Sequence, residues 1–166
     1  MTWTLHIARP VLSKNAHLVN AGTNVQKAMY RTLRNTWASD IIAAWRNFQA
    51  RAAKHGFPCV GGPYQPKRHV ILTRIYCGRQ REYDFDGLVG GFAPILDAMK
   101  PPREGGVTTF KSGPRKGKLK IVKPVPGAAL IVDDAPRWVQ VTYRQERGAE
   151  AGCLIEIEDI EPGEQR

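Results

Sequence analysis

The sequence is short of cysteine, of serine and, over its first half, of acid. Its three cysteines, Cys59, Cys77 and Cys153, are odd in number, far apart and never in C-x-x-C. A disulfide framework and a cysteine zinc site are therefore excluded, and a reducing cytoplasm is the expected setting. The serines Ser13, Ser39 and Ser112 include none in G-x-S-x-G, which leaves a serine nucleophile without support. The histidines His6, His17, His55 and His69 lack the i, i+4 pairing of a zinc helix. No run approaches the roughly 18 apolar residues of a membrane span, so no membrane association is expected. The first residues do not combine a basic segment with an apolar one, so no export signal is expected either. Gly113-Pro-Arg-Lys-Gly-Lys-Leu fails as a phosphate loop: the glycine spacing is short, and Leu119 stands where Ser or Thr would hold Mg²⁺. No small-molecule cofactor is expected.

What is present is positive charge, +10 over 166 residues, with 42% hydrophobic residues to build a core. Residues 1–83 hold thirteen Lys/Arg against Asp40 and Glu82, and residues 101–128 hold seven against Glu104 alone. Residues 129–166 reverse the balance, with nine acids and four basic residues. Two long stretches nearly free of acid point to a polyanion, nucleic acid above all, rather than to an evenly solvated basic surface.

The element pattern is α+β in a single domain over 1–166. Trp3–Ile7 alternates as a strand, and residues 10–23 read as a loop. Thr23 and Gln26 have capping-box spacing. Apolar residues then recur at Val25, Met29, Leu33, Trp37, Ile41, Trp45, Phe48 and Ala52. This is one long amphipathic helix with a basic outer face, ending near His55-Gly56. After a Gly/Pro-rich link at 61–66, His69–Cys77 is apolar on both faces and reads as a central strand. A shorter helix follows with Leu88, Phe92, Ile95, Leu96 and Met99, kinked at Pro94 or beginning near Ala93. Residues 101–128 read as an inserted basic hairpin, with strands at 107–111 and 118–123 around the turn Ser112–Gly117. The segments 137–144 and 153–158 are expected to pair as a second hairpin, completing a mixed sheet.

The acids carry the chemistry. Asp84 and Asp86 stand at i and i+2 beyond the central strand. In an extended backbone both would point to one face, about 6.5–7 Å apart. Mg²⁺ takes oxygen ligands, commonly one or two carboxylates with water and substrate phosphate. Asp133-Asp134 is a second acidic pair before a strand. Arg79 and Arg81 directly precede the first pair, which suits a metal acting on a phosphodiester.

In order, the sequence has a basic run, Asp84-Phe-Asp86, a helix with Leu96-Asp97-Ala98-Met99, then Ile131-Val-Asp133-Asp134 and an alternating strand. This order resembles the RusA family of bacteriophage-type Holliday junction resolvases, over roughly residues 68–158. The resemblance implies a homodimeric α+β endonuclease that uses Mg²⁺, with Mn²⁺ as a possible substitute, to nick branched DNA. It implies that Asp84, Asp86 and Asp134 are the catalytic metal ligands, with Asp133 beside them and Asp97 in support. It also implies DNA contacts from Arg79 and Arg81. From the charge of the insertion, Arg115, Lys116, Lys118 and Lys120 are expected to reach the DNA backbone. Two departures stand out. Gly87 replaces the family's asparagine, and Gly90 and Ala93 occupy the positions where its helix carries a lysine. Lys100, about two turns beyond Ala93, is expected to point away from the site. The alternatives are a catalytically weak or inactive DNA-binding descendant of that family, and a basic RNA-binding module, for which no aromatic RNA-binding motif is found.

Overall fold

Val70, Ile71, Leu72 and Thr73 are all nearly inaccessible, as befits a strand flanked on both edges. This segment lies in strand β2 (Arg68–Tyr76), and the fold is built around it. The computed structural model describes residues 2–13, 23–54 and 67–160. In chain order its other elements are β1 (Thr2–Ile7), helix α1 (Thr23–Lys54), helix α2 (Phe85–Met99), β3 (Gly106–Thr109), β4 (Leu119–Val122), β5 (Val139–Arg147) and β6 (Gly152–Asp159). Residues 14–22 of the loop expected at 10–23, the link at 61–66 and the helix end at His55-Gly56 lie outside the described residues, as does the Thr23 side chain.

Four strands form one mixed sheet in the order β1-β6-β2-β5. β6 is antiparallel to both β1 and β2, while β5 runs parallel to β2. β5 and β6 are therefore not the hairpin expected from their proximity in sequence, because β2 lies between them. A strand this apolar is shielded best with a neighbour on each edge, and here that central position overrides the short connection. The connection passes the end of β2, where the Gly148 amide donates to the Tyr76 carbonyl at 2.9 Å.

Cross-strand rows place the core on one side of this sheet. Leu5, Ile155, Leu72 and Tyr143 form one row, and Trp3, Ile157, Val70 and Val141 the next. Both helices meet this face. Trp37, Ala38 and Ile41 of α1 and Phe92, Ile95 and Met99 of α2 are buried against it. Trp45 meets Trp3 edge-on at 6.2 Å, and Phe92 stacks on Tyr143 at 5.7 Å. The apolar stripe read along α1 is only partly used: Val25 and Met29, in its first turns, remain 54% and 45% exposed.

Helix α2 starts at Phe85 and runs through Pro94, not from Ala93. Pro94 removes the bond to the Gly90 carbonyl, a loss of about 3 kcal/mol in an exposed helix. Here the burial of Leu88, Phe92, Ile95, Leu96 and Met99 offsets it.

The 101–128 insertion is a hairpin as expected. β3 pairs antiparallel with β4, extended by a bridge between Arg103 and Val125. Gly113 and Gly117 take positive φ at its turn.

Candidate active site and nucleic-acid interface

The backbone before α2 is held by buried Arg74 and half-buried Gln145. Arg74 is 2% exposed, stacks 3.6 Å from the Tyr83 ring centre and donates to the Arg81 carbonyl at 3.1 Å. The Gln145 amide imitates a strand partner, donating to the Tyr83 carbonyl at 2.8 Å and accepting from its amide at 2.9 Å. These bonds fix the segment that presents Arg79, Arg81, Asp84 and Asp86, all four of them exposed.

Asp84 and Asp86 are not two residues of a strand. The strand ends at Tyr76; Asp84 is the N-cap of α2, and Asp86 lies in its first turn. Asp84 Oδ1 accepts from the Gly87 amide at 2.8 Å. The sequence Asp-x-x-Gly before an apolar helical run is a cap signal, and it overrides extension of the strand. The start of a helix thus replaces the extended pair that a strand would have given. Both carboxylates are favourably placed against the helix dipole, which gives each a structural role as well. The glycine at 87 also has a local reason: a Cβ there would come within 2.5 Å of Asp84 Oδ1.

Asp133 and Asp134 arrive at the other end of α2. Residues 128–131 fold back over its last turn. The amides of Ala128, Leu130 and Ile131 donate to the carbonyls of Ala98 and Met99 at 2.8–3.2 Å. These are acceptors that a helix C-terminus leaves open. Gly127 permits the approach, since a Cβ there would meet the Lys100 carbonyl at 2.1 Å. Buried Arg68 bonds the Leu130 carbonyl and holds Asp159 at 2.9 Å.

The fold-back creates an ionic cluster centred on Lys100, which does not point away. Its ammonium lies 2.9 Å from Asp97 Oδ1, 2.9 Å from Asp134 Oδ2 and 3.6 Å from Asp133 Oδ1, with its side chain only 13% exposed. Tyr30 of α1 donates to Asp97 Oδ2 at 2.6 Å, and Arg34 donates to the carbonyls of Asp97 and Pro126. Burial alone would raise the Asp97 carboxyl, but hydrogen bonds from Tyr30 and Lys100 hold it below the usual value. Burial lowers the Lys100 ammonium, and the hydrogen bonds to Asp134 and Asp97 more than reverse this. The Asp134 amide, bonded to Asp133 Oδ1, holds the Asp133 carboxyl low. Tyr30 is raised by burial and by its bond to Asp97. Sequence reading missed Lys100, Tyr30 and Arg34. Only the i, i+3 spacing of Asp97 and Lys100 and the i, i+4 spacing of Tyr30 and Arg34 hinted at them.

The two acidic groups lie along one face of α2. Asp86, Gly90, Ala93 and Asp97 follow helical spacing to Lys100; Asp86 is exposed and the others partly so, whereas their flanking residues are mostly buried. Asp86 and Asp97 are about 16 Å apart along the axis. No family model, curated protein or solved structure matches the chain. Among the described residues, no group of three or more His, Cys, Asp or Glu converges as a metal cage. The expected set of Asp84, Asp86 and Asp134 is thus spread over both ends of a helix. Asp84 and Asp86 by themselves still provide two exposed carboxylates, one with an oxygen in the helix cap, and Mg²⁺ accepts so few protein ligands.

The expected DNA contacts are all accessible. Arg79, Arg81, Arg115, Lys116, Lys118 and Lys120 are exposed. No helix among the described residues is long and apolar enough to cross a membrane.

Proposed function

We propose that this chain is a RusA-like, Mg²⁺-dependent endonuclease acting on branched DNA, with Mn²⁺ able to replace Mg²⁺, and that it works as a homodimer. The observation that carries the reading is the exposed Asp84-Phe85-Asp86 segment at the start of α2, beside exposed Arg79 and Arg81 in a chain of net charge +10. Asp84 and Asp86 would hold the metal. Bound there, it would supply an activated water and neutralise charge on the scissile phosphate. Arg79 and Arg81 draw the phosphate backbone to the acids and orient it. The surrounding basic surface sets a strongly salt-dependent affinity. Cleavage of a synthetic four-way junction with Mg²⁺, with Mn²⁺ and with chelator is the test, and no cleavage under any metal overturns the reading.

One observation favours a second reading, a DNA-binding protein of that family with weak or no activity. Asp134, the third expected ligand, is paired with Lys100, and the middle of the polar stripe on α2 holds only Gly90 and Ala93. A lysine at 93 would stand one turn before Asp97 on the same face, between the two acidic groups. Ala93→Lys is expected to raise the single-turnover cleavage rate about tenfold, by placing a cation where transition-state charge grows. Junction affinity should change little. An unchanged rate in a folded variant removes the idea that a missing lysine limits this protein.

A further inference from the structure

The β3–β4 hairpin has two chemically different faces, and among the described residues nothing covers either. Residues 101–124 are exposed throughout, apart from a half-buried Phe110. The register pairs Val107 with Ile121 and Thr109 with Leu119, so these four side chains share one face. Val107, Leu119 and Ile121 are 67%, 75% and 80% exposed. By the same alternation the opposite face carries Lys118, Lys120 and Phe110. The Lys120 ammonium and the Arg115 guanidinium lie 5.7 and 6.0 Å from the Phe110 ring centre.

We propose that this ribbon is a two-faced nucleic-acid probe, whose cationic face follows the phosphate backbone while its aliphatic face covers bases that have left the helical stack. The inference rests on the branched-DNA reading and deepens it, by naming the feature of a branch that is recognised: opened, unstacked bases rather than paired arms.

Charge and area decide between a nucleic acid and a second copy of the chain. Residues 101–128 carry seven cationic side chains against one acid, so two such ribbons face to face would repel, whereas a polyanion is drawn in. The three aliphatic side chains offer roughly 400 Å², about half of what each partner buries in a standard protein interface. That is too little for a stable dimer, but enough to shield an exposed base step, as apolar wedges do in DNA-bending proteins. Paired duplex offers such side chains little, because its bases already cover one another's faces. A two-stranded ribbon is also narrow enough to enter a major groove or an open junction.

The test uses the full chain in chelator, so that binding is read without cleavage, on a four-way junction, a single strand and a linear duplex of matched length. Leu119→Asn with Ile121→Asn is expected to weaken junction and single-strand binding about tenfold. Duplex affinity and the salt slope should stay unchanged. Lys118→Gln with Lys120→Gln is expected to weaken all three ligands and to flatten the slope of log affinity against log salt by about two on duplex arms. The fluorescence of 2-aminopurine at the branch point should change on binding of the natural protein and less so with the asparagine variant. Equal losses on junction and duplex, or no loss in a variant whose circular dichroism is unchanged, overturn the aliphatic role. Dissociation of a dimer by the asparagine variant on sedimentation assigns the face to a second copy and also overturns it. Failure of the natural protein to bind any of the three ligands defeats the nucleic-acid reading itself, a different result from selective failure of the variant.

Discussion

Replacing Asp86 by Asn should lower junction cleavage by about a thousandfold, equivalent to roughly 4 kcal/mol of transition-state stabilisation. The carboxylate is exposed in the first turn of α2 and makes no contact on which the core depends. Its loss therefore removes a ligand charge while costing at most about 1 kcal/mol of helix-dipole interaction. Junction affinity in chelator should hold or rise slightly, since a negative charge has been taken away from a phosphate-binding surface. Asp84→Asn gives a cleaner comparison: asparagine caps helices about as well as aspartate, so the bond to the Gly87 amide survives while the charge disappears. Loss of cleavage in both variants with binding retained supports a two-carboxylate metal site. Unchanged cleavage in Asp86→Asn would leave both acids as helix-terminus residues only.

Replacing Lys100 by Met should have the largest effect on stability. Its ammonium is shared by Asp97, Asp133 and Asp134, and removing it leaves three carboxylates crowded at one helix end. A fully buried pair broken on one side loses about 3–5 kcal/mol. Asp133 and Asp134 are half exposed, so water recovers part of that and about 2 kcal/mol is expected. For a chain of this size the melting temperature should fall by about 4–8 °C. Lys100→Arg should recover most of the loss.

The pH dependence has a definite sign. Asp97 is held below its ordinary 3.8, so its contribution is present above that pH and fades as the solution is acidified through the lower folded value. Lys100 is held above its ordinary 10.5, so its contribution is complete below that pH and lost only as alkali passes the higher folded value. Between these limits the cluster is insensitive to pH. In Lys100→Met the Asp97 and Asp133 carboxyls lose a cause that holds them low, and acid unfolding should begin at higher pH than in the natural protein. Identical acid limbs for the two proteins would show that the cluster does not contribute to stability.

Sequence alone determined the elements and the distribution of charge. The both-faces-apolar run of β2, the period of α1, the alternation of β1 and the basic hairpin are local patterns, and each element formed where its pattern stood. Tertiary structure decided two things that no local pattern carries, the strand order and the Lys100 cluster, and local capping decided a third. β2 separates β5 from β6, because the most apolar strand is shielded best between two neighbours whatever the length of the connection between them. Asp84 became a helix cap, because open amide donors at a helix start compete with strand extension, and the following glycine leaves room for the carboxylate. Lys100 met Asp134, because residues 128–131 satisfy the last carbonyls of α2 and so bring an acid from 34 positions away in the chain to the side of a lysine. Such a contact depends on where the backbone finds its hydrogen bonds, and that is settled only when the chain is folded.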